Sequence, residues 1–439
     1  MKLTCFIKET VFDAARILTT KEGIKSLYGV SLYRNAIYLM LDSAITAIAG
    51  LFFWVAAARL YATESIGLAS AAISAITLLG TISSLGLGFA LIRFLPGSGE
   101  RSCEMINSCF TTGGILSLAL ALVFLAGLPF WSPVLLPIRN HPVFFITFVA
   151  FVLAYTLFSF ARVTFMAQRR AGFVLFQGII ANLLRFIPLV LLSAVFTTFG
   201  VFASWGIAIL IGGAAAILLF LPLAQTGYRP LPTVRRKIIN DMLHFSLTNY
   251  LVSLLALASS SVLPLMVVNV LGAEQNAYFY IAWMIGIIIA TIPTAITTSL
   301  FAEGSYDERM LGNQVRRSLK FIFLLLFPVI VLTLLLGAKL LFLFGSAYSQ
   351  NATTLLWLVT ITALPLSINS LYYTVKRVQK KMKSVVILNG FIAAVTLGLS
   401  YFLLSQMGVL ATGIAWLSAN GIVALLIAAG WLKKQTLLT

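Results

Sequence analysis

Residues 225–242 read Gln225-Thr226-Gly227-Tyr228-Arg229-Pro230-Leu231-Pro232-Thr233-Val234-Arg235-Arg236-Lys237-Ile238-Ile239-Asn240-Asp241-Met242. This is the longest polar connection in a chain that is otherwise a succession of apolar runs. It carries two prolines and four basic residues, so it is read as a linker and not as a span. Six apolar runs precede it and six follow, each near the roughly 20 residues that cross a bilayer as a helix. The expected spans are 35–59, 66–92, 105–128, 143–167, 172–196 and 200–224, then 243–271, 277–302, 318–344, 352–375, 384–405 and 409–431. The fold class is therefore an all-α integral membrane protein of twelve transmembrane helices in two six-helix bundles. The expected units are a leader at 1–34, bundles at 35–224 and 243–431, the linker, and a tail at 432–439.

Composition agrees. Of 439 residues, 60% are hydrophobic and only 10% are charged, and mean hydropathy is +1.03. Such a chain has too few charges to clothe a soluble domain, which rules out a cytosolic enzyme, a secreted domain and a disordered scaffold. The formal net charge is +18. Its distribution explains it without nucleic acid: 26 of the 30 Lys and Arg fall in the two termini, the even-numbered connections and, for Arg162 and Lys320, the span ends beside them. The other side holds Arg59, Arg139 and Lys339, and Arg185 lies inside a span. The positive-inside rule then puts both termini in the cytoplasm of a multi-pass plasma-membrane protein. In the leader, Ile7, Val11, Ala14, Ala15 and Leu18 recur at helical spacing among basic residues, as in an amphipathic helix lying on the membrane surface. No signal-peptide pattern is expected there.

Each half starts and ends on the same side, so any internal repeat is parallel, about an axis along the membrane normal. Val55–Phe94 can be laid on Met266–Ser305 at a constant offset of 211. In that register Leu60-Tyr61-Ala62 meets Leu271-Gly272-Ala273. Pseudo-symmetry between the bundles is the expectation.

Residues 57–96 carry Ala57-Ala58-Arg59-Leu60-Tyr61, Glu64, Ile66-Gly67, Ser84-Leu85-Gly86-Leu87-Gly88 and Leu91-Ile92-Arg93-Phe94-Leu95-Pro96. This stretch resembles the start of the polysaccharide transporter family, the oligosaccharide flippases, in the superfamily that also holds multidrug and toxin extruders and lipid II flippases. In that family an ARLL-x-PEEYG stretch links the first two helices and a GLG…R-x-L stretch ends the second. Here Thr63 stands for the usual proline and Ile66 for the aromatic residue. The resemblance implies a flippase that moves polyprenyl-(pyro)phosphate-linked oligosaccharide to the outer leaflet by alternating access. It implies the lipid-linked oligosaccharide, membrane lipids and glycan-assembly enzymes as partners. It implies no bound cofactor, with H⁺ or Na⁺ coupling as an energy source. A cation-coupled multidrug exporter and a membrane scaffold for glycan assembly are the alternatives. The drug extruders place an acid near the outer end of the first helix, where this chain has Phe52-Phe53-Trp54-Val55.

A charge near the middle of a span costs about 2.5–3.5 kcal/mol on insertion scales, so each one asks for a role. Two lie deep. Arg185, in the fifth span, has Asn182 on its face and Pro188 following, which should bend the helix. A guanidinium there suits a diphosphate; it equally suits a carboxylate or free carbonyls. Asp42, in the first span, shares a face with Asn35 and Tyr38. It is either a proton-coupling group, the partner of a cavity arginine, or a group in a cytosolic vestibule. Tyr155, Ser159, Arg162 and Arg169 form a stripe on the fourth span, read as the entry for a head-group or as snorkelling anchors. Arg93, like Arg59, is an interfacial anchor or a phosphate contact. The candidate substrate contacts are thus Arg185, Asn182, Arg162, Arg93 and Tyr155, with Asp42 as the coupling candidate. Lys376, Arg377, Lys380, Lys381 and Lys383 are read as topology and attraction to anionic lipid. Asn249, Asn269 and Asn369 are read as interhelical hydrogen-bonding amides.

No phosphate-binding Gly-x-x-x-x-Gly-Lys-Ser/Thr loop occurs, and the three cysteines and two histidines show no metal-site spacing. An enzyme is not expected.

Overall fold

The computed structural model describes residues 31–306, 311–379 and 381–435. The leader, apart from its last four residues, lies outside them. Twelve helices among the described residues are long and apolar enough to cross a membrane. In chain order the elements are α1 (Ser31–Leu60), α2 (Thr63–Ser83), α3 (Leu87–Phe94), α4 (Ser102–Trp131), α5 (Leu136–Asn140), α6 (Pro142–Ala167), α7 (Ala171–Leu184), α8 (Phe186–Ser193), α9 (Gly200–Ala215) and α10 (Leu221–Ala224). After the linker come α11 (Arg236–Leu271), α12 (Ala273–Tyr306), α13 (Leu311–Phe342), α14 (Ser346–Val378), α15 (Met382–Met407) and α16 (Leu410–Gln435). The first helix of the second half begins at Arg236, inside the stretch read as linker.

The two halves repeat one packing scheme. In the first, α1 packs on α7, α2 on α6, α4 on α6, and α9 on both α6 and α7. In the second, α11 packs on α15, α12 on α14, α13 on α14, and α16 on both α14 and α15. These are the same pairs shifted by six spans. The hairpin corners agree as well: α1 ends at Leu60 and α11 at Leu271, an offset of 211.

Three spans depart from simple helices. The second was expected as one span over 66–92, with Gly86 and Gly88 read as allowing it to bend. It stops at Ser83 because Leu85 and Gly86 adopt φ of 49° and 70°, a left-handed corner that only glycine enters without cost. The break frees the Ile82 carbonyl, which accepts a 2.8 Å hydrogen bond from the Tyr250 hydroxyl on α11. A side chain at Gly86 would collide with Tyr250, its Cβ lying 2.6 Å from that of the tyrosine. The fifth span divides at Arg185 into α7 and α8, the interruption expected from Pro188. In the sixth, a single π-turn at Ala216–Phe220 precedes Pro222.

The halves join through α2. It is the most enclosed span, 78% buried over its apolar window against 17% for α1. Its run of Ala69, Ser70, Ala71, Ala72, Ser74 and Ala75 lets neighbouring backbones come close. At its start the α2 and α12 backbones nearly touch. An added Cβ on Gly67 would lie 1.7 Å from the Ala273 carbonyl oxygen. Asn276 spans this contact, donating to the Gly67 carbonyl at 2.7 Å and to Ser70 Oγ at 3.0 Å. Close by, Arg59 donates to the Leu343 and Phe342 carbonyls at 2.8 and 2.9 Å. Asn269 donates to the Trp131 carbonyl and to Ser132 Oγ, both at 3.1 Å. The Arg59 end of the molecule is therefore tied across the two bundles.

Because the obstacle at Gly67 is backbone, it cannot turn aside. Gly67→Ala should lower stability by about 1–3 kcal/mol, the usual cost of overpacking. The check is thermal unfolding of the purified protein in detergent, where an unchanged midpoint would contradict the close approach.

Candidate functional site

Helix α1 leans on α7, and a line of polar residues runs along their contact. Asn35 Oδ1 accepts from the Ala171 amide at 2.9 Å. One turn and more along, Asp42 pairs with Arg162 of α6, whose Nη2 bonds Oδ2 while Nη1 lies 3.4 Å from Oδ1. Gly178 makes room for this pair, since a Cβ there would sit 2.0 Å from Asp42 Oδ1. Further on, Asn182 donates to Thr46 Oγ1 at 3.0 Å and to the Gly178 carbonyl at 2.9 Å. Positions 35, 42 and 46 share one face of α1, while Met40, Leu41, Ile48 and Phe52 are exposed on the others. Polar contacts, not apolar burial, hold such a helix in a bilayer.

Arg185 ends this line. It is only 8% exposed. Its guanidinium lies 4.8 Å from the Phe53 ring centroid and 5.9 Å from that of Phe186. Tyr280 of α12 stands on the other side, with its own ring 4.8 Å from Trp54. The Nε and Nη2 groups have no hydrogen-bond partner. A cation–π contact offsets part of the desolvation, about 2 kcal/mol when shielded from water. It leaves the donors unused. The sequence left open a carboxylate partner for Arg185; the two ion pairs among the described residues are Asp42–Arg162 and Glu104–Arg235.

Of the residues singled out in the sequence, Asp42, Arg162, Asn182 and Arg185 thus come together along α1, α6 and α7. Tyr155 packs elsewhere on α6, under Gly80 and 5.9 Å from the Trp205 ring. Arg93 lies exposed on α3, apart from the group. Asn369, as expected, bonds between helices, donating to the Asn420 carbonyl and Oδ1 at 3.1 and 3.2 Å.

A second feature gave little sign of itself in the sequence. A cavity of about 630 Å³ lies wholly inside the second bundle. It runs from Trp283, Trp416 and Asn420, midway along their helices, to Arg377 and Asn389 beside the α14–α15 connection. Its polar wall is made mostly of threonine, serine and asparagine, types that scatter through spans without standing out. The one available signal was Thr291, Thr294, Thr297 and Thr298 recurring on α12. No group of three or more His, Cys, Asp or Glu among the described residues could hold a metal ion.

These features define a twelve-span membrane protein built of two repeated bundles. Its fold is similar to that of solved members of the MOP superfamily. It is similar to an inward-facing multidrug resistance MATE family transporter of that superfamily, with TM-score 0.68 and 16% identity over 92% of this chain and 98% of the other. It is similar to the lipid II flippase MurJ in an inward closed conformation, with TM-score 0.69 and 14% identity over 91% and 87%. A MOP superfamily transporter from Pyrococcus furiosus, described as having a binding pocket of reverse polarity, gives TM-score 0.58 and 15% identity over 96% and 100%. Residues 56–353, more than half of the chain, match the family described as "Polysaccharide biosynthesis protein", and the chain belongs to that family. No curated protein sequence matches it. The family ties the chain to polysaccharide biosynthesis, and the likeness to these structures shows its fold.

The Asp42–Arg162 pair yields a test of what holds α1. Losing one partner of a buried pair typically costs about 3–5 kcal/mol, and replacing both by apolar groups costs far less; Arg162 is partly exposed, so the low end applies. Asp42→Ala should therefore unfold well below wild type, and Asp42→Ala/Arg162→Met should recover much of the loss. Equal melting of the single and double variants would show that the pair does not fasten α1.

Proposed function

We propose that the protein is a flippase. It carries a polyprenyl-(pyro)phosphate-linked oligosaccharide from the cytoplasmic to the outer leaflet by alternating access between bundles 35–224 and 243–431. The observation that carries this reading is the Arg185 guanidinium, buried where the first bundle meets α12, with donors left free. An enclosed arginine with no acid paired to it among the described residues is matched to an anion of fixed shape, and a diphosphate accepts two parallel hydrogen bonds from it. Family membership in polysaccharide biosynthesis supports the glycan, and the likeness to a lipid II flippase supports the lipid carrier.

Both termini lie in the cytoplasm on this reading, because the basic connections all fall on their side. The Arg59 end, tied across the bundles, is then the outer end. The cavity of the second bundle runs toward the cytoplasm. A phosphate entering past Arg93 meets Arg162 before Tyr155, which lies about two turns deeper on α6, and competes there with Asp42. Asn182 lies between Arg162 and Arg185 along α7. The carboxylate of Asp42, released from Arg162, becomes the group that takes up a proton from the cytoplasmic side and couples the cycle. The lipid tail stays in the bilayer throughout.

The test is complementation of a flippase-deficient host, with membrane abundance measured for every variant. Wild type should restore surface glycan, Arg185→Ala should abolish it, and Arg185→Lys should leave a small fraction because a point charge cannot grip a diphosphate at two points. Full activity of Arg185→Ala at normal abundance would remove Arg185 from the substrate path.

A further inference from the structure

The cavity of the second bundle has a particular hydrogen-bonding character. Four of its threonines spend their protons on their own helix. Thr291, Thr294, Thr297 and Thr298 donate to carbonyls three or four residues earlier, at 2.6 to 3.1 Å. Ser260 and Asn389 do likewise, at 3.0 and 2.8 Å. Asn369 uses its NH₂ on Asn420, and Asn420 uses its own on the Trp416 carbonyl at 3.0 Å. What these side chains have left to offer is oxygen lone pairs. Among the groups that line the cavity, Asn369 Oδ1, Trp283 Nε1 and Tyr373 Oη are buried without a hydrogen-bond partner. An unmet polar atom in such a place costs about 1–3 kcal/mol, so three of them on one wall point to a ligand that meets them.

The chemistry of that ligand follows. The wall offers oxygen acceptors beside the donors Trp283 Nε1, Tyr373 Oη and Arg377, so a bare anion is matched only at Arg377 and not along the rest of it. A cation site would bring a carboxylate, and instead the charged lining residue is Arg377. A molecule with many hydroxyl groups fits, because each hydroxyl donates to one wall oxygen and can accept from Trp283 Nε1 or Tyr373. Trp283 and Trp416 pack with ring centroids 4.2 Å apart in the lining, an apolar part of the wall beside which the C–H face of a sugar ring can lie. At 630 Å³ the cavity is within the range of small-molecule sites.

We infer that this cavity is a carbohydrate-binding site that takes a pyranose residue, with Arg377 receiving an anionic substituent on the glycan. That the sugar belongs to a transported lipid-linked glycan rests on the function proposed above; that the cavity binds sugar does not. The first bundle then holds the charged end of the substrate and the second its hydroxyl-rich end.

Saturation-transfer NMR on the full chain in detergent tests this, with methyl β-D-glucopyranoside and methyl β-D-glucopyranosiduronate as probes. Both should receive saturation on their ring protons, and the uronide should bind at least threefold more tightly. Asn369→Leu should weaken both about tenfold or more. Trp283→Phe, which keeps the ring and removes the N–H, should weaken both several-fold and guards against a folding defect in the first variant. Arg377→Gln should erase only the advantage of the uronide. Absence of transfer to wild type, or transfer that Asn369→Leu and Trp283→Phe leave unchanged, overturns the site; a uronide preference that survives Arg377→Gln overturns the role of that arginine. Sugar binding by a protein that fails to restore surface glycan would leave the cavity standing and sink the flippase reading, and restored glycan without sugar binding would do the reverse.

Discussion

The two bundles can share an interface because Gly67 has no side chain. In a bilayer, helices gain nothing by hiding apolar surface from one another, since lipid tails are as apolar as leucine. Association depends on close packing and on polar contacts. At Gly67 the α2 backbone comes against the Ala273 carbonyl, and Asn276 closes two hydrogen bonds across the gap. The small residues that follow on α2 extend the approach along the helix. Everything at the Arg59 end, including the reach of Arg59 itself to the end of α13, presupposes that separation.

The same constraint explains α1. With little of its surface covered, it is held by Asn35, Asp42 and Thr46, three positions on one face that find polar partners on α6 and α7. A helix fastened by a few directional bonds has two alternatives, bonded or not, and no gradual slackening between them. That makes the Asp42–Arg162 contact a natural point for an anion to intervene. Arg185 lies at the far end of the same line, where α1 presents Phe53 instead of a polar group and the guanidinium is left with unused donors.

The repeat of packing does not extend to chemistry. At the offset that superposes the hairpin corners, Arg185 meets Thr396 and Asn182 meets Ala393. The first bundle carries the charges Asp42, Arg162 and Arg185, and the second carries mostly hydroxyl and amide groups around an open volume, with Arg377 as the charged lining residue. A substrate with a charged end and a hydroxyl-rich end is the kind that such a division suits. A pair of identical halves would bind the same chemistry twice.

Hydropathy alone was enough for twelve spans, because length and apolar content are set residue by residue and a bilayer admits few other solutions; it put the start of the seventh at 243, where α11 already begins at Arg236. The interruption at Arg185 was legible too, through Pro188. The break after Ser83 was legible only as a bend that Gly86 and Gly88 would permit; that it is a full stop follows from the left-handed turn at Leu85 and Gly86 seating Tyr250, a residue 164 positions beyond Gly86. Asp42 and Arg185 stood out as charges where charges are costly, yet which of them would be paired was a matter of what α6 and α12 bring alongside. The cavity in the second bundle left almost no trace in the sequence. Threonine and asparagine are tolerated anywhere in a span, and only the packing of five helices decides that their oxygens face one enclosed space.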